Sequence, residues 1–183
     1  MPVGMHVGPW TEEDLVGLPD DGQRYELLEG ALLVNPPAGG RHQRISLRLA
    51  GRLDADAPAG LVAVEALGVR IPGGSVLVPD VLVAERQAVL GNDSGVLDAS
   101  VVHLVVEIVS PGSRTQDRLT KPALYAEAGI GSFWRVEPDD GPAVHVYQLQ
   151  GGAYVELATL RPGQGLELDQ PFSISLDPAD LAP

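Results

Sequence analysis

Val101-Val102-His103-Leu104-Val105-Val106-Glu107-Ile108-Val109, ended by Ser110-Pro111-Gly112, is the most strongly apolar segment of the chain. It is apolar at both parities, as a central strand covered on both faces must be. A core strand of this kind needs neighbours on either side and helices or a second layer above and below. One residue does not belong in it. Glu107 is a carboxylate in a doubly covered strand, and burying it unpaired costs several kcal/mol. Either it is paired, protonated or metal-bound, or it sits near enough to Ser110 to reach water.

The segment before it carries the same oddity. Val76 to Ala84 reads as another strand, with Asp80 after Pro79 inside Val-Leu-Val-Pro-Asp-Val-Leu-Val. Aspartate is a poor strand former, so Asp80 is either a bulge or turn residue or has a chemical role. Adjacent strands lie ~4.8 Å apart, close enough for side chains from both to share one cation. Asp80 and Glu107 are therefore candidate metal ligands. The chain has no cysteine, which excludes thiolate sites and disulfides and points to oxygen-loving Mg²⁺ or Mn²⁺.

Outward from this pair the order is mixed. Thr11 with Asp14 resembles a capping box opening a helix over 11–18. Arg24 to Leu28 and Ala31 to Val34 read as a hairpin around Glu29-Gly30. Residues 41–56 carry Ile45, Leu49 and Leu53 at helical spacing. Leu61 to Ile71 reads as one strand or a bent pair, and 86–100 as a loop. Residues 114–128 suit a helix closed by Gly129, although Pro122 favours a start nearer Thr120. Phe133 to Val136, Val144 to Leu149 and Tyr154 to Leu160 follow as strands, and Phe172 to Leu176 alternates in a Pro-rich tail. Nothing divides the 183 residues, so the expectation is one domain. Its class is α/β: a central mixed sheet flanked by helices, with extra C-terminal antiparallel strands. Those last strands offer edges through which a homodimer could form.

Lys121 lies four residues after Asp117, which fits an exposed helix ion pair. It also fits a lysine reaching over the sheet toward the two acids. His42, near the start of its helix, is a capping or packed histidine on general grounds. His103 shares the parity of Glu107 and is either a partner behind it or a core histidine. The net charge of −13, with only 12 Lys plus Arg, works against tight non-specific nucleic-acid binding. Arg41, Arg44, Arg48 and Arg52 form one basic group and Arg114, Arg118 and Lys121 a second; each is either a local patch or a solvated helix face. No segment reaches the ~20 apolar residues of a membrane span, and residues 1–9 lack the pattern of a signal peptide. The cytoplasm is the default location.

Taken in order, Tyr25-Glu26-Leu27-Leu28-Glu29-Gly30, His42, Pro79-Asp80, Val105-Val106-Glu107-Ile108-Val109-Ser110-Pro111, Asp117-Arg118-x-x-Lys121 and Tyr125-Ala126-x-Ala128-Gly129-Ile130 with Trp134 resemble the Uma-two family. Its members are restriction-endonuclease-like proteins within the PD-(D/E)XK nuclease superfamily. The resemblance runs from about residue 10 to 150. It implies a metal-dependent endonuclease acting on nucleic acid, DNA ahead of RNA. It further implies Asp80 and Glu107 as metal-binding acids, Lys121 as the catalytic lysine, and Glu26 and His42 completing the pocket. The superfamily's lysine stands two residues after the second acid, where this chain has Val109; Lys121 would substitute from the following helix. The rival expectation is a binding or regulatory protein that keeps the fold without turnover.

Overall fold

A computed structural model describes residues 6–139 and 141–182. The reading of residues 1–9 as no signal peptide therefore falls mostly outside the described residues. The elements are α1 (Glu12–Val16), β1 (Arg24–Leu28), β2 (Ala31–Asn35), α2 (Gly40–Asp56), β3 (Leu61–Glu65), β4 (Gly68–Ile71), β5 (Ser75–Leu77), β6 (Val81–Glu85), α3 (Arg86–Leu90), β7 (Val96–Asp98), β8 (Val102–Ile108), α4 (Lys121–Glu127), β9 (Ser132–Glu137), β10 (Ala143–Gln150), β11 (Ala153–Leu160), β12 (Leu166–Leu168) and β13 (Ile174–Leu176).

The expected α/β class holds, and β8 is a central strand. It lies inside a six-stranded sheet of order β11-β10-β9-β8-β6-β3, antiparallel to β6 and parallel to β9. The two faces of that sheet meet different layers. Leu104, Val106 and Ile108 pack with Trp134, with Ile45, Leu49 and Leu53 of α2, and with Phe172, Ile174 and Leu181 of the tail. Val105, Leu82 and Phe133 pack with Tyr125 and Ile130 and with Val69, Ile71 and Leu77. The latter three belong to a second sheet, order β2-β1-β5-β4-β7. The one central sheet expected is thus two sheets, plus the small β12-β13 ribbon. The first two C-terminal strands simply extend the main sheet, leaving β11 at its edge.

The break between sheets decides one strand reading for the bent pair and corrects another. Residues 61–71 turn at Ala66, whose φ is 52°, so that β3 joins the main sheet and β4 the second. Residues 76–84 are not one strand. Pro79 has no N–H to give a ladder, and the chain crosses at Val78-Pro79-Asp80 from β5 in one sheet to β6 in the other. Residues 86–100 are not a loop; they hold α3, β7 and a 3₁₀ turn at Ala99–Val101. In the 114–128 segment the chain is helical from Arg114 and passes through a π-helical stretch, Gln116–Thr120, before α4. Pro122 thus follows the π-helical stretch closely, near the start of α4, without truncating the helix to Thr120. Gly129 follows with φ 79°, the left-handed position that ends such helices. Among the described residues no helix is long and apolar enough to cross a membrane.

Candidate active site

The face of the main sheet that looks toward the second sheet and α4 carries the charged residues. Register pairs Val81 with Val106 across β6 and β8. One step further along that antiparallel pair, Asp80 stands opposite Glu107, so the two acids share a face. Asp80 also caps the neighbouring strand. Its Oδ2 accepts the Ile108 N–H at 2.8 Å. That explains the aspartate after Pro79: the side chain satisfies a buried amide that the broken ladder leaves over.

The other predicted residues arrive from three elements. His42, in the first turn of α2, places Nε2 3.1 Å from Asp80 Oδ2. Glu26 of β1 is 1% exposed; its Oε1 accepts the Val78 N–H at 2.8 Å, and Oε2 accepts from Asn35 Nδ2 at 2.7 Å. Lys121, at the start of α4, is 5% exposed. Its Nζ lies 2.9 Å from Glu26 Oε1, 3.2 Å from Glu107 Oε1 and 3.7 Å from Asp117 Oδ1. The exposed ion pair is therefore not what forms: Lys121 does face Asp117, but inside the protein and over the acids. The π-helical stretch carries Asp117 inward with it. Asp117 is 1% exposed, and Ser113 Oγ donates to its Oδ2.

His103 does not belong to this group. It is exposed at the far end of β8, which excludes a role behind Glu107. Three residues that spacing did not reveal do belong. Arg24 Nη1 donates to Asp80 Oδ1 at 2.6 Å. Tyr125, fully buried, donates its hydroxyl to Glu107 Oε1 at 2.7 Å. Asn35 steadies Glu26.

The electrostatics are unbalanced. Asp80, Glu26, Glu107 and Asp117 face two permanent cations, Lys121 and Arg24, so with all four acids ionised and His42 neutral two negative charges are uncompensated in a buried space. Burial pushes the Glu107 carboxyl well above its ordinary range; Lys121 opposes this, while Asp117, Asp80 and Glu26 add to it. Burial likewise raises Asp117 to about 6. Lys121 goes further up despite burial, because Glu107, Glu26 and Asp117 surround it. Burial would raise Asp80 too, but the hydrogen bond and charge of His42, with Arg24, bring it below its usual value.

A pH dependence follows. A carboxyl whose folded pKa is raised binds more protons folded than unfolded, so its ionisation opposes folding. For Asp117 the penalty enters as pH rises from about 4 to about 6 and amounts to at most about 3 kcal/mol. Without divalent metal, thermal unfolding at pH 5 is expected several degrees above that at pH 8, and Asp117→Asn is expected to flatten the profile. An unchanged profile in Asp117→Asn would show that Asp117 is not strained. Below pH 4 the trend reverses, since Asp80, held low, loses its favourable charge as it protonates.

Several of the basic residues are paired within the chain, mostly on exposed faces: Arg48 donates to the carbonyls of Asp180 and Ala182, Arg52 pairs with Asp56 at 3.0 Å, Arg114 with Asp139 at 3.8 Å and Arg118 with Glu137 at 2.8 Å, while Arg41 and Arg44 are exposed. The paired ones offer phosphates less than their count suggests. The open cleft of about 770 Å³ beside Trp10, Arg70 and Asp98 shares no residue with the carboxylate group. Its Arg70 is already held bidentately by Glu12 at 2.5 and 2.7 Å. Reactive chemistry is better sought where charge is buried and strained.

A divalent cation fits this site in donor type and in charge. The donors are hard oxygens, and two surplus negative charges await it. The fit is incomplete in geometry. Among the described residues no three His, Asp or Glu side chains form a ready metal cluster, and the oxygens of Asp80 and Glu107 are already engaged by protein donors.

Comparisons with known proteins bear on the fold and the family. No curated protein matches the sequence closely. A solved structure that resembles it is that of a "putative nuclease" from Anabaena variabilis, with TM-score 0.74 and 20% identity over 94% of this chain and 97% of that one. At that identity the likeness establishes the fold alone. The sequence profile of the Uma2 family, described as "Putative restriction endonuclease", matches residues 12–181. The chain belongs to the Uma2 family.

Proposed function

We propose that this chain is an endonuclease that hydrolyses phosphodiester bonds with Mg²⁺ or Mn²⁺, with DNA as substrate ahead of RNA. The observation that carries the reading is the gathering of three buried acids, Glu26, Glu107 and Asp117, around the buried ammonium of Lys121 with Asp80 beside them, where burial first and the neighbouring acids second raise Glu107 and Asp117. A folded protein has little reason to keep such a gathering unless something positive completes it. Asp80 and Glu107 would hold the metal. When bound, it polarises a phosphate oxygen and acidifies a water molecule.

The remaining work falls to side chains already in place. Lys121 points its ammonium into the acids and would neutralise charge as it builds on the phosphate, or orient the attacking water. Glu26 fixes that ammonium at 2.9 Å while its own second oxygen is pinned by Asn35. Tyr125 holds Glu107 in one rotamer. His42 keeps Asp80 oriented from the opposite layer. Arg24 and His42 are the more exposed members, at 29% and 15% against 4% for Asp80, so substrate would approach from their side.

The test incubates the protein with single- and double-stranded DNA and RNA, with and without Mn²⁺. Asp80→Asn is expected to lower cleavage by about a hundredfold. Cleavage equal to wild type, or no cleavage of any substrate by the wild type, would sink the reading. The second reading is a binding or regulatory protein that keeps the fold without turnover. It draws support from the net charge of −13 and from the arginines bound within the chain. Mn²⁺ titration separates the two, since that reading expects no binding.

A further inference from the structure

We propose that Arg24 is an exchangeable partner of Asp80. Its guanidinium holds Asp80 Oδ1 in the metal-free protein, yields that oxygen to the divalent cation, and then pairs with the phosphodiester of the substrate. The inference rests on the metal-dependent nuclease reading above and assigns a role to a residue outside it.

Three donors hold the Asp80 carboxylate, and they differ in how easily they can leave. The Ile108 N–H, at 2.8 Å from Oδ2, is part of β8 and cannot withdraw without breaking the sheet. His42, at 3.1 Å from the same oxygen, is fixed to the first turn of α2 and 15% exposed. Arg24 alone holds Oδ1, at 2.6 Å, and is 29% exposed. Its Nη1 also lies 3.3 Å from the Val78 carbonyl, a stretched contact. The backbone of Arg24 is held opposite Asn35 in the β1–β2 ladder, so the long side chain can swing while the strand stays.

Charge supplies the drive. Glu107 and Glu26 both add to the attraction that keeps Arg24 at the acids. A divalent cation arriving there competes with the guanidinium for Asp80 Oδ1 and weakens that attraction. The released guanidinium is a planar fork matched to two phosphate oxygens. Among the described contacts only Nη1 is used, which leaves Nε and Nη2 for such a ligand. Arg24 and Glu26 also share a face of β1, so a moved Arg24 remains beside the lysine that Glu26 anchors. Part of the incomplete metal geometry of the site is then accounted for: Asp80 Oδ1 is occupied by a removable cation.

The test titrates Mn²⁺ by calorimetry into the wild-type protein, Arg24→Gln and Arg24→Lys at pH 7.5. Binding of a labelled single-stranded DNA oligonucleotide is followed in Ca²⁺. Arg24→Gln is expected to bind Mn²⁺ about tenfold tighter and the oligonucleotide about tenfold weaker than wild type. Arg24→Lys should bind Mn²⁺ much as wild type does, yet lose oligonucleotide affinity with the fork. Equal or weaker Mn²⁺ binding in a folded Arg24→Gln overturns the exchange. If that variant does not fold, hydrogen exchange of the Arg24 guanidinium in the wild type decides. Faster exchange on adding Mg²⁺ is expected, and unchanged exchange overturns the proposal. A wild type that binds neither metal overturns the nuclease reading itself, an outcome distinct from wild-type binding that Arg24→Gln leaves unchanged.

Discussion

Lys121→Met is expected to lower the unfolding free energy at pH 8 by about 3–5 kcal/mol, the usual cost of leaving a buried ion pair half made. Methionine keeps most of the volume and removes only the ammonium that Glu26, Glu107 and Asp117 share at 2.9, 3.2 and 3.7 Å. The carboxylates would then answer by taking up protons. Protonation is easier at pH 5, so the loss there should be well under that at pH 8. The lysine's own titration does not confuse the comparison. Its folded pKa lies above the ordinary 10.5, so its stabilisation is complete below that value and is lost only as pH rises through the folded one. Turnover should fall by about a thousandfold in the same variant. Urea titrations at the two pH values are the measurement. A loss under about 1 kcal/mol at pH 8 would mean that the acids are already protonated there, and that the surplus charge argued above does not exist.

How much of this was legible in the sequence depended on the range of the contact. β8 was readable because a strand covered on both faces writes its burial into nearly every position, His103 apart. Asp80 and Glu107 were readable because a carboxylate in such a strand is out of place. The break at Pro79 was visible as a residue, but not as a change of sheet, since periodicity does not say which neighbour a strand will take. Lys121 was ambiguous for the same reason: its four-residue spacing from Asp117 describes an exposed pair and a buried one equally well. Arg24 carried no local signal, and Tyr125 stood only as one residue of a family motif with no role attached. Arg24 meets an acid 56 positions away, and Tyr125 sat in an ordinary apolar helix face until the fold set Glu107 beneath it. The arginine groups stayed open between a patch and a solvated helix face, because clustering in sequence says nothing of the acids and carbonyls that some of them meet.

Glu107→Gln and Asp80→Asn are expected to move stability in opposite directions, though both remove a carboxylate from the same site. Glutamine can still accept the Tyr125 hydroxyl, now 2.7 Å from Oε1, and it sheds a charge whose pKa burial has driven up. A raised carboxyl pKa means that ionisation opposes folding above the ordinary value. Removing the charge should therefore stabilise the metal-free protein by about 1–2 kcal/mol at pH 8. Asp80 is the reverse case. Its pKa is lowered by His42 and Arg24 against burial, so its charge favours folding above the ordinary aspartate range and is lost only below it. Asparagine leaves Arg24 and His42 facing a neutral group and should cost about 1–3 kcal/mol. Metal binding should not distinguish the two, since each variant is expected to lose Mn²⁺ affinity by about 10- to 100-fold. Thermal unfolding with and without Mn²⁺ reads both effects in one experiment. If Glu107→Gln destabilised the metal-free protein as much as Asp80→Asn, Glu107 would be a satisfied structural acid held by Tyr125 and Lys121. A gain without metal beside a loss of Mn²⁺ affinity, by contrast, is what a ligand kept under strain for its cation must show.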